Sequence, residues 1–103
     1  MSRHSFPGKA GTTEVAIGWD RPLATFYVQV LAPHPTLAGE DATVLWEGTA
    51  VGELPTAACA IRIAQDYADL PETLGATLET DRLRTVATRD GPAQLAARRF
   101  IGR

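Results

Sequence analysis

Two alternating apolar runs flank the short polar corner Asp20-Arg21-Pro22-Leu23. Their alternating members are Val15, Ile17, Trp19, Ala24, Phe26, Val28 and Val30. Strict two-residue alternation places such side chains on one face and is typical of half-buried strands. Pro22 presets a backbone angle that suits a turn, and the Asp20 side chain can bond its own backbone. The pattern therefore predicts a hairpin of two antiparallel strands.

The hairpin has one register that suits its apolar residues if the connection is residues 20–23. Trp19 then lies opposite Ala24, Ile17 opposite Phe26, and Val15 opposite Val28. A slip by one residue would turn one apolar set away from the core, so burial of one face specifies the pairing. The corner thus has a structural explanation, and Asp20 and Arg21 need no catalytic role.

The next elements are a loop, a strand and two helices. Residues 32–42 are rich in turn-forming residues, and residues 43–51 predict a third strand. We expect Val44 and Trp46 on one face of this strand, where Trp46 joins Phe26 and Trp19 in the core, and Leu45 on the opposite face. Helical spacing of small and apolar residues predicts one helix over 54–70 and another from 71 to about 80–82.

The predicted fold class is therefore α+β: a three-stranded antiparallel meander followed by two helices packed on one face. Residues 83–88 permit either a fourth, edge strand or a coil, and residues 91–100 permit a last short helix. A length of 103 residues fits one domain. We expect residues 1–11 to form a flexible arm and residues 12–103 to form that domain.

Composition excludes several function classes. A single cysteine, Cys59, permits no intrachain disulfide. Apolar stretches long enough for secretion or membrane insertion are missing, which predicts a cytoplasmic protein without a membrane partner. The bias towards Ala, Arg and Thr suggests a bacterial source. The segment GTAVG lacks the spacing and lysine of a phosphate-binding loop, and the other common catalytic motifs are absent. We expect no cofactor, no metal and no enzymatic activity.

A candidate contact surface lies on the predicted outer face of the sheet. Tyr27, Leu31 and Leu45 would form an apolar patch there, with Gln29 at its rim, if the helices cover the other face alone. Cover by the second helix or by the C-terminal segment is the alternative. The patch predicts a small non-enzymatic interaction module that binds another protein or a second copy of itself.

The C-terminal segment 82–103 suggests a second function. It carries six arginines, although the formal net charge of the whole chain is −2. Arg82, Arg84, Arg98 and Arg99 could hold phosphate groups in a nucleic-acid-binding regulator. A third hypothesis, an enzyme built around His34 and Cys59, has the least support. A solvated loop histidine and a buried filler cysteine account for these residues.

Overall fold

The computed structural model describes residues 2–9 and 11–85. Within these ranges the chain forms a four-stranded antiparallel sheet followed by two helices, which confirms the predicted α+β class. The elements are β1 (His4–Pro7), β2 (Glu14–Asp20), β3 (Thr25–Pro33), β4 (Asp41–Glu47), α1 (Ala57–Ala64) and α2, whose described part covers 74–85. The strands lie in the order β1-β2-β3-β4, so β1 and β4 form the two edges.

The predicted hairpin is present as β2 and β3, but the predicted register is wrong by two residues. Trp19 lies opposite Phe26, and Asp20 pairs with Thr25. The connection is as long as expected but lies one residue further along, with Ala24 in a left-handed conformation (φ 49°) and exposed. A shift of two residues keeps every side chain on its predicted face, because the strand period is two.

Thr25 explains why the hairpin closes at this position. Its buried hydroxyl accepts the backbone N–H of Leu54 at 2.8 Å, and the N–H of Phe26 donates to the Leu54 carbonyl at 3.1 Å. The segment after β4 therefore fixes the position of Thr25 at the start of β3. These partners are almost thirty residues away in sequence, and no local pattern around the corner contains them.

The core lies between one face of the sheet and the helices. Its buried members are Val15, Ile17, Trp19, Phe26, Val28, Val30, Leu54, Ala57, Ala60, Ala64, Ala68, Leu74 and Leu78. Alanines line the buried side of α1, which lets its backbone approach the sheet closely. Leu74 and Leu78 of α2 fill the remaining space. All the alternating residues of the hairpin except Ala24 reach the core as predicted.

The first strand lies within the segment that was expected to be a flexible arm. β1 pairs with β2. Its Phe6 lies opposite Val15 and packs against the core. The imidazole Nε2 of His4 lies 2.6 Å from the Asp81 carboxylate on α2. The sheet therefore has a fourth strand, and this strand is β1 at the N-terminal end of the chain.

The helices differ from their predicted bounds. Thr56 caps α1, and the helix ends at Ala64 instead of continuing to residue 70. Residues 83–85 are helical, so the strand considered for 83–88 is wrong there. Its residues 86–88 and the last helix considered for 91–100 lie outside the described residues.

Candidate interaction surface

Two large apolar side chains of β4 point away from the core. Val44 is 58% exposed and Trp46 is 59% exposed. Trp46 lies opposite Gln29, whereas Leu45 lies opposite the buried Val30 and packs against the core. The predicted faces of β4 are therefore wrong: Leu45 takes the inner position that was expected for Trp46.

The sequence around these residues contains the reason for that error. Val44, Leu45 and Trp46 are consecutive, so a strand must place apolar side chains on both faces. Alternation alone does not decide which face meets the core. A bulge between Val30 and Leu31 also shifts the pairing within this strand. Three adjacent apolar residues in a strand do indicate that an apolar side chain lies on the outer face, where tertiary contacts decide whether it is covered.

Tyr27 lies on the outer face, but it is only 4% exposed. Its hydroxyl donates a hydrogen bond to the Ser2 carbonyl at 2.7 Å. Across the ladder stands Gly18, where an added Cβ would lie 2.1 Å from that same carbonyl oxygen. The residues before β1 therefore cover Tyr27. Burial raises the pKa of the Tyr27 phenol above its ordinary value, although the nearby Arg3 acts in the opposite direction.

The other two residues of the predicted patch remain partly accessible. Leu31 and Gln29 are half-buried on the outer face. The Gln29 amide donates to the Thr43 hydroxyl at 3.1 Å and accepts from Arg3 at 3.3 Å. Arg3 also contacts the Glu14 carboxylate at 3.3 Å. Polar side chains from Arg3, just before β1, to Thr43 on β4 thus cross this face beside Trp46.

We call Val44, Trp46, Gln29 and Leu31 the β4 surface. It combines two residues of the predicted patch, Gln29 and Leu31, with two that the alternation had placed on the other face of β4, Val44 and Trp46. Tyr27 and Leu45 are not part of it, because the Ser2 segment covers the first and the core holds the second. Their predicted role as partner contacts requires exposed side chains, and neither side chain is exposed.

The ends of β4 are acidic. Asp41 begins the strand, and Glu47 ends it close to Glu53. The Glu53 carboxylate accepts the backbone N–H groups of Thr49 and Ala50 at 3.1 and 3.2 Å. Hydrogen bonds from the Gly48 loop lower the pKa of Glu53, while its hydrogen bond with Glu47 raises the pKa of Glu47.

The arginines of the nucleic-acid hypothesis are only partly described. Arg82 donates to Glu79 at 2.9 Å, and Glu79 also accepts the N–H of Ala57 at the start of α1. Arg84 is exposed on α2. Arg98 and Arg99 lie outside the described residues. The arrangement gives Arg82 a structural partner on its own helix.

The two residues of the enzyme hypothesis have local structural roles. His34 Nδ1 accepts the backbone N–H groups of Thr36 and Leu37 at 3.1 and 3.0 Å, which closes the loop after β3. The Thr56 hydroxyl lies 3.2 Å from the Cys59 sulfur, and this hydrogen bond lowers the pKa of the thiol. Over the described ranges, no three metal-ligating side chains cluster together.

A shallow groove of about 600 Å³ lies beside α1 on the helical side of the molecule. Acidic and apolar residues from the α1–α2 connection form most of its wall, and Lys9 also lines it. The Lys9 ammonium lies 3.3 Å from the carboxylate of the exposed Asp69. The groove is well separated in sequence from the β4 surface and shares no residue with it.

The fold and the surface define a small α+β domain whose sheet ends in an exposed apolar strand. Comparisons with protein-family models, with curated proteins and with solved structures found no match to this chain. Among the residues that the structure describes, neither helix has the length and apolar character needed to cross a bilayer.

Proposed function

We propose that this protein is a protein–protein interaction module whose β4 surface contacts the partner. The observation that carries the proposal is the exposure of Val44 and Trp46, 58% and 59%, on an edge strand. Apolar side chains bordered by polar groups are typical of contact surfaces. Tryptophan is also among the residues whose truncation weakens protein interfaces most.

The surroundings of these residues support the same proposal. Gln29 and Thr43 offer hydrogen-bonding groups beside Trp46, and Leu31 adds half-buried apolar area. Such a mixture matches an interface with an apolar centre and a polar rim. The partner is another protein or a second copy of this chain. Nucleic-acid binding has weaker support, because Arg82 already pairs with Glu79.

The test compares surface variants with matched variants elsewhere. Val44→Lys and Trp46→Glu alter the β4 surface, whereas Val51→Lys and Leu37→Glu introduce the same charges at other exposed positions. Each tagged protein is used to capture partners from the source cells, and sedimentation equilibrium measures self-association. We expect the surface variants to lose a partner, or a dimer, that the wild type and the controls keep.

Affinity for that partner gives the quantitative check. Removing a central aromatic contact commonly costs 2 kcal/mol or more, so Trp46→Ala should weaken binding by roughly thirtyfold. If all variants retain the same partners and mass as the wild type, the β4 surface is not an interface. Capture that is lost equally in the control variants would point to general charge effects and would also contradict the proposal.

A further inference from the structure

Building on the proposed function, we propose that β4 binds an extended segment of another polypeptide as a fifth strand. The segment carries Lys or Arg near both ends and apolar residues at its centre. Strand addition supplies affinity through backbone hydrogen bonds and specificity through alternate side chains.

The two sheet edges differ in their capacity to accept a strand. β1 has four residues and ends at Pro7, and the next residue, Gly8, bridges to Ala68. His4, the first residue of β1, is held by Asp81 on α2. A short strand that ends in proline and is fastened at both ends is a protected edge. β1 is therefore a poor site for strand addition.

β4 lacks the proline and the fastening that protect β1, although it carries the bulge opposite Val30 and Leu31. It has seven residues, Asp41–Glu47, with no proline and no lysine. Within the described part of the chain, no strand lies on its far side. An edge strand presents unpaired N–H and C=O groups to whatever lies beside it. Val44 and Trp46 offer exposed apolar contacts along the same strand. β4 is thus the edge that a partner strand can extend.

Charge decides the kind of strand that fits. The chain has no Lys or Arg between Arg21 and Arg62, whereas Glu40, Asp41, Glu47 and Glu53 fall within that interval. Asp41 and Glu47 stand at the two ends of β4. Opposite charges in facing cross-strand positions are favourable, and like charges are unfavourable. A partner with basic residues at its ends is therefore favoured.

The same charges disfavour a second copy of this chain. A second copy would offer a β4 strand with the same two carboxylates and no lysine or arginine. Antiparallel pairing of two such strands would bring four carboxylates to one junction without a cation to balance them. The partner strand is consequently expected to come from a different polypeptide.

The experiment uses four synthetic peptides about as long as β4, each with alternating Thr and Val at its centre. The first has lysines at both ends and the second has glutamates. The third and fourth are the lysine peptide with N-methyl groups on one or the other set of alternate residues, so that each lacks the donors of one edge. Titration into the full-length protein is followed by amide chemical shifts and hydrogen exchange.

We expect the lysine peptide to bind at least about tenfold more tightly than the glutamate peptide. Its binding should protect the backbone amides of residues 41–47 from hydrogen exchange. The peptide whose N-methyl groups lie on the edge that faces β4 should not bind. The double variant D41K/E47K should reverse the charge preference, whereas Val51→Lys should leave it unchanged. Reversal is a readout that loss of folding cannot produce.

Equal binding of the first two peptides would overturn the preference for a partner with basic ends, and no binding of the lysine peptide up to about 1 mM would overturn strand addition. Unchanged affinity of the N-methylated peptides would overturn it as well. A wild-type dimer that Val44→Lys dissociates would identify a second copy as the occupant and contradict this inference. In each of these cases the proposed function survives if Val44→Lys still abolishes partner capture or dimerisation and Val51→Lys does not.

Discussion

Trp19 and Phe26 face each other across β2 and β3, with ring centroids 4.8 Å apart and ring planes at 62°. Edge-to-face contacts of this kind add about 0.5–1.5 kcal/mol to the effect of burial. Trp46, the other tryptophan, is 59% exposed on β4. The two tryptophans therefore occupy opposite environments, one in the core and one on the β4 surface.

This difference predicts contrasting costs of truncation. Phe26→Ala should lower the free energy of unfolding by about 3–5 kcal/mol, because it leaves a cavity under Trp19. Trp46→Ala should change it by less than about 1 kcal/mol, as is usual for exposed positions. Denaturant unfolding measures both, with Phe26→Leu as a milder core variant. Comparable losses for Phe26→Ala and Trp46→Ala would contradict the assigned faces of β4.

The hydrogen bond between Tyr27 and Ser2 predicts how the fold responds to alkaline pH. Burial raises the pKa of Tyr27, so the native state favours the protonated phenol. Its contribution is complete below the unfolded pKa of about 10 and is lost as pH rises through the folded pKa. Tyr27→Phe should cost about 0.5–1.5 kcal/mol near neutral pH and should lack this alkaline loss.

Denaturant unfolding at neutral pH and above pH ~10 measures this difference. Wild type and Tyr27→Phe should approach each other in stability as pH rises. A gap between them that stays constant with pH would show that Tyr27 titrates as it does in the unfolded chain. Ser2→Ala is the matched comparison: it keeps the carbonyl that accepts from Tyr27 and removes the hydroxyl that accepts the Trp19 N–H at 2.9 Å, so its cost should not change with pH.

Two pairs that join the N-terminal residues to the helical side differ in burial and should differ in energy. In the His4–Asp81 pair the Asp81 side chain is 14% exposed, whereas Asp69 in the Lys9–Asp69 pair is 96% exposed. Asp81→Ala should lower the unfolding free energy by about 1–2 kcal/mol, since it removes a charge-assisted hydrogen bond. Asp69→Ala should change it by less than about 0.5 kcal/mol.

Thermal or denaturant unfolding distinguishes these two variants, and amide exchange shows where the effect lies. Asp81→Ala should speed exchange in β1 more than in the hairpin β2–β3. Equal stability of Asp81→Ala and Asp69→Ala would mean that His4 does not fasten β1 to α2. Uniform acceleration of exchange across the sheet would mean that the pair acts on global stability alone.

The hairpin shows how far local pattern can predict this fold. Alternation places its apolar residues on the correct faces, because a strand has a fixed two-residue period. The register depends instead on Thr25, whose hydroxyl pairs with the backbone of Leu54. That contact joins distant parts of the chain. A prediction from adjacent residues therefore places the register two residues away from the one observed.

The candidate site depends even more on distant contacts. Leu45 and Trp46 exchange their expected faces because the pairing with Val30 selects Leu45 for the core. Tyr27 is covered because Ser2 reaches it from a segment whose composition suggests a flexible arm. Gln29 and Leu31 remain on the outer face as predicted. Composition and periodicity therefore indicate the existence of an outer surface, and tertiary pairing decides which residues form it.

The cap of α1 predicts linked effects on stability and on thiol reactivity. The Thr56 side chain accepts the N–H of Cys59, and its hydroxyl also hydrogen-bonds the sulfur and lowers the pKa of the thiol. Thr56→Ala should cost about 1 kcal/mol. It should also raise the pKa of Cys59 and slow alkylation by iodoacetamide at fixed pH. Thr56→Ser should preserve both properties, and parallel behaviour of the Ser and Ala variants would contradict the assigned cap.

The Glu47–Glu53 pair predicts a pH-dependent gain from removing one charge. Its hydrogen bond raises the pKa of Glu47, so the stability contributed by protonated Glu47 is lost as pH rises through that raised value. Glu47→Gln keeps a donor towards Glu53 at every pH and should be more stable than wild type at neutral pH. The lowered pKa of Glu53 gives an opposite, acid-side loss that both proteins share. Unfolding measured from pH ~3 to pH ~7 should show the two proteins converging at the acid end. A difference that does not vary with pH would contradict the pairing of these carboxyl groups.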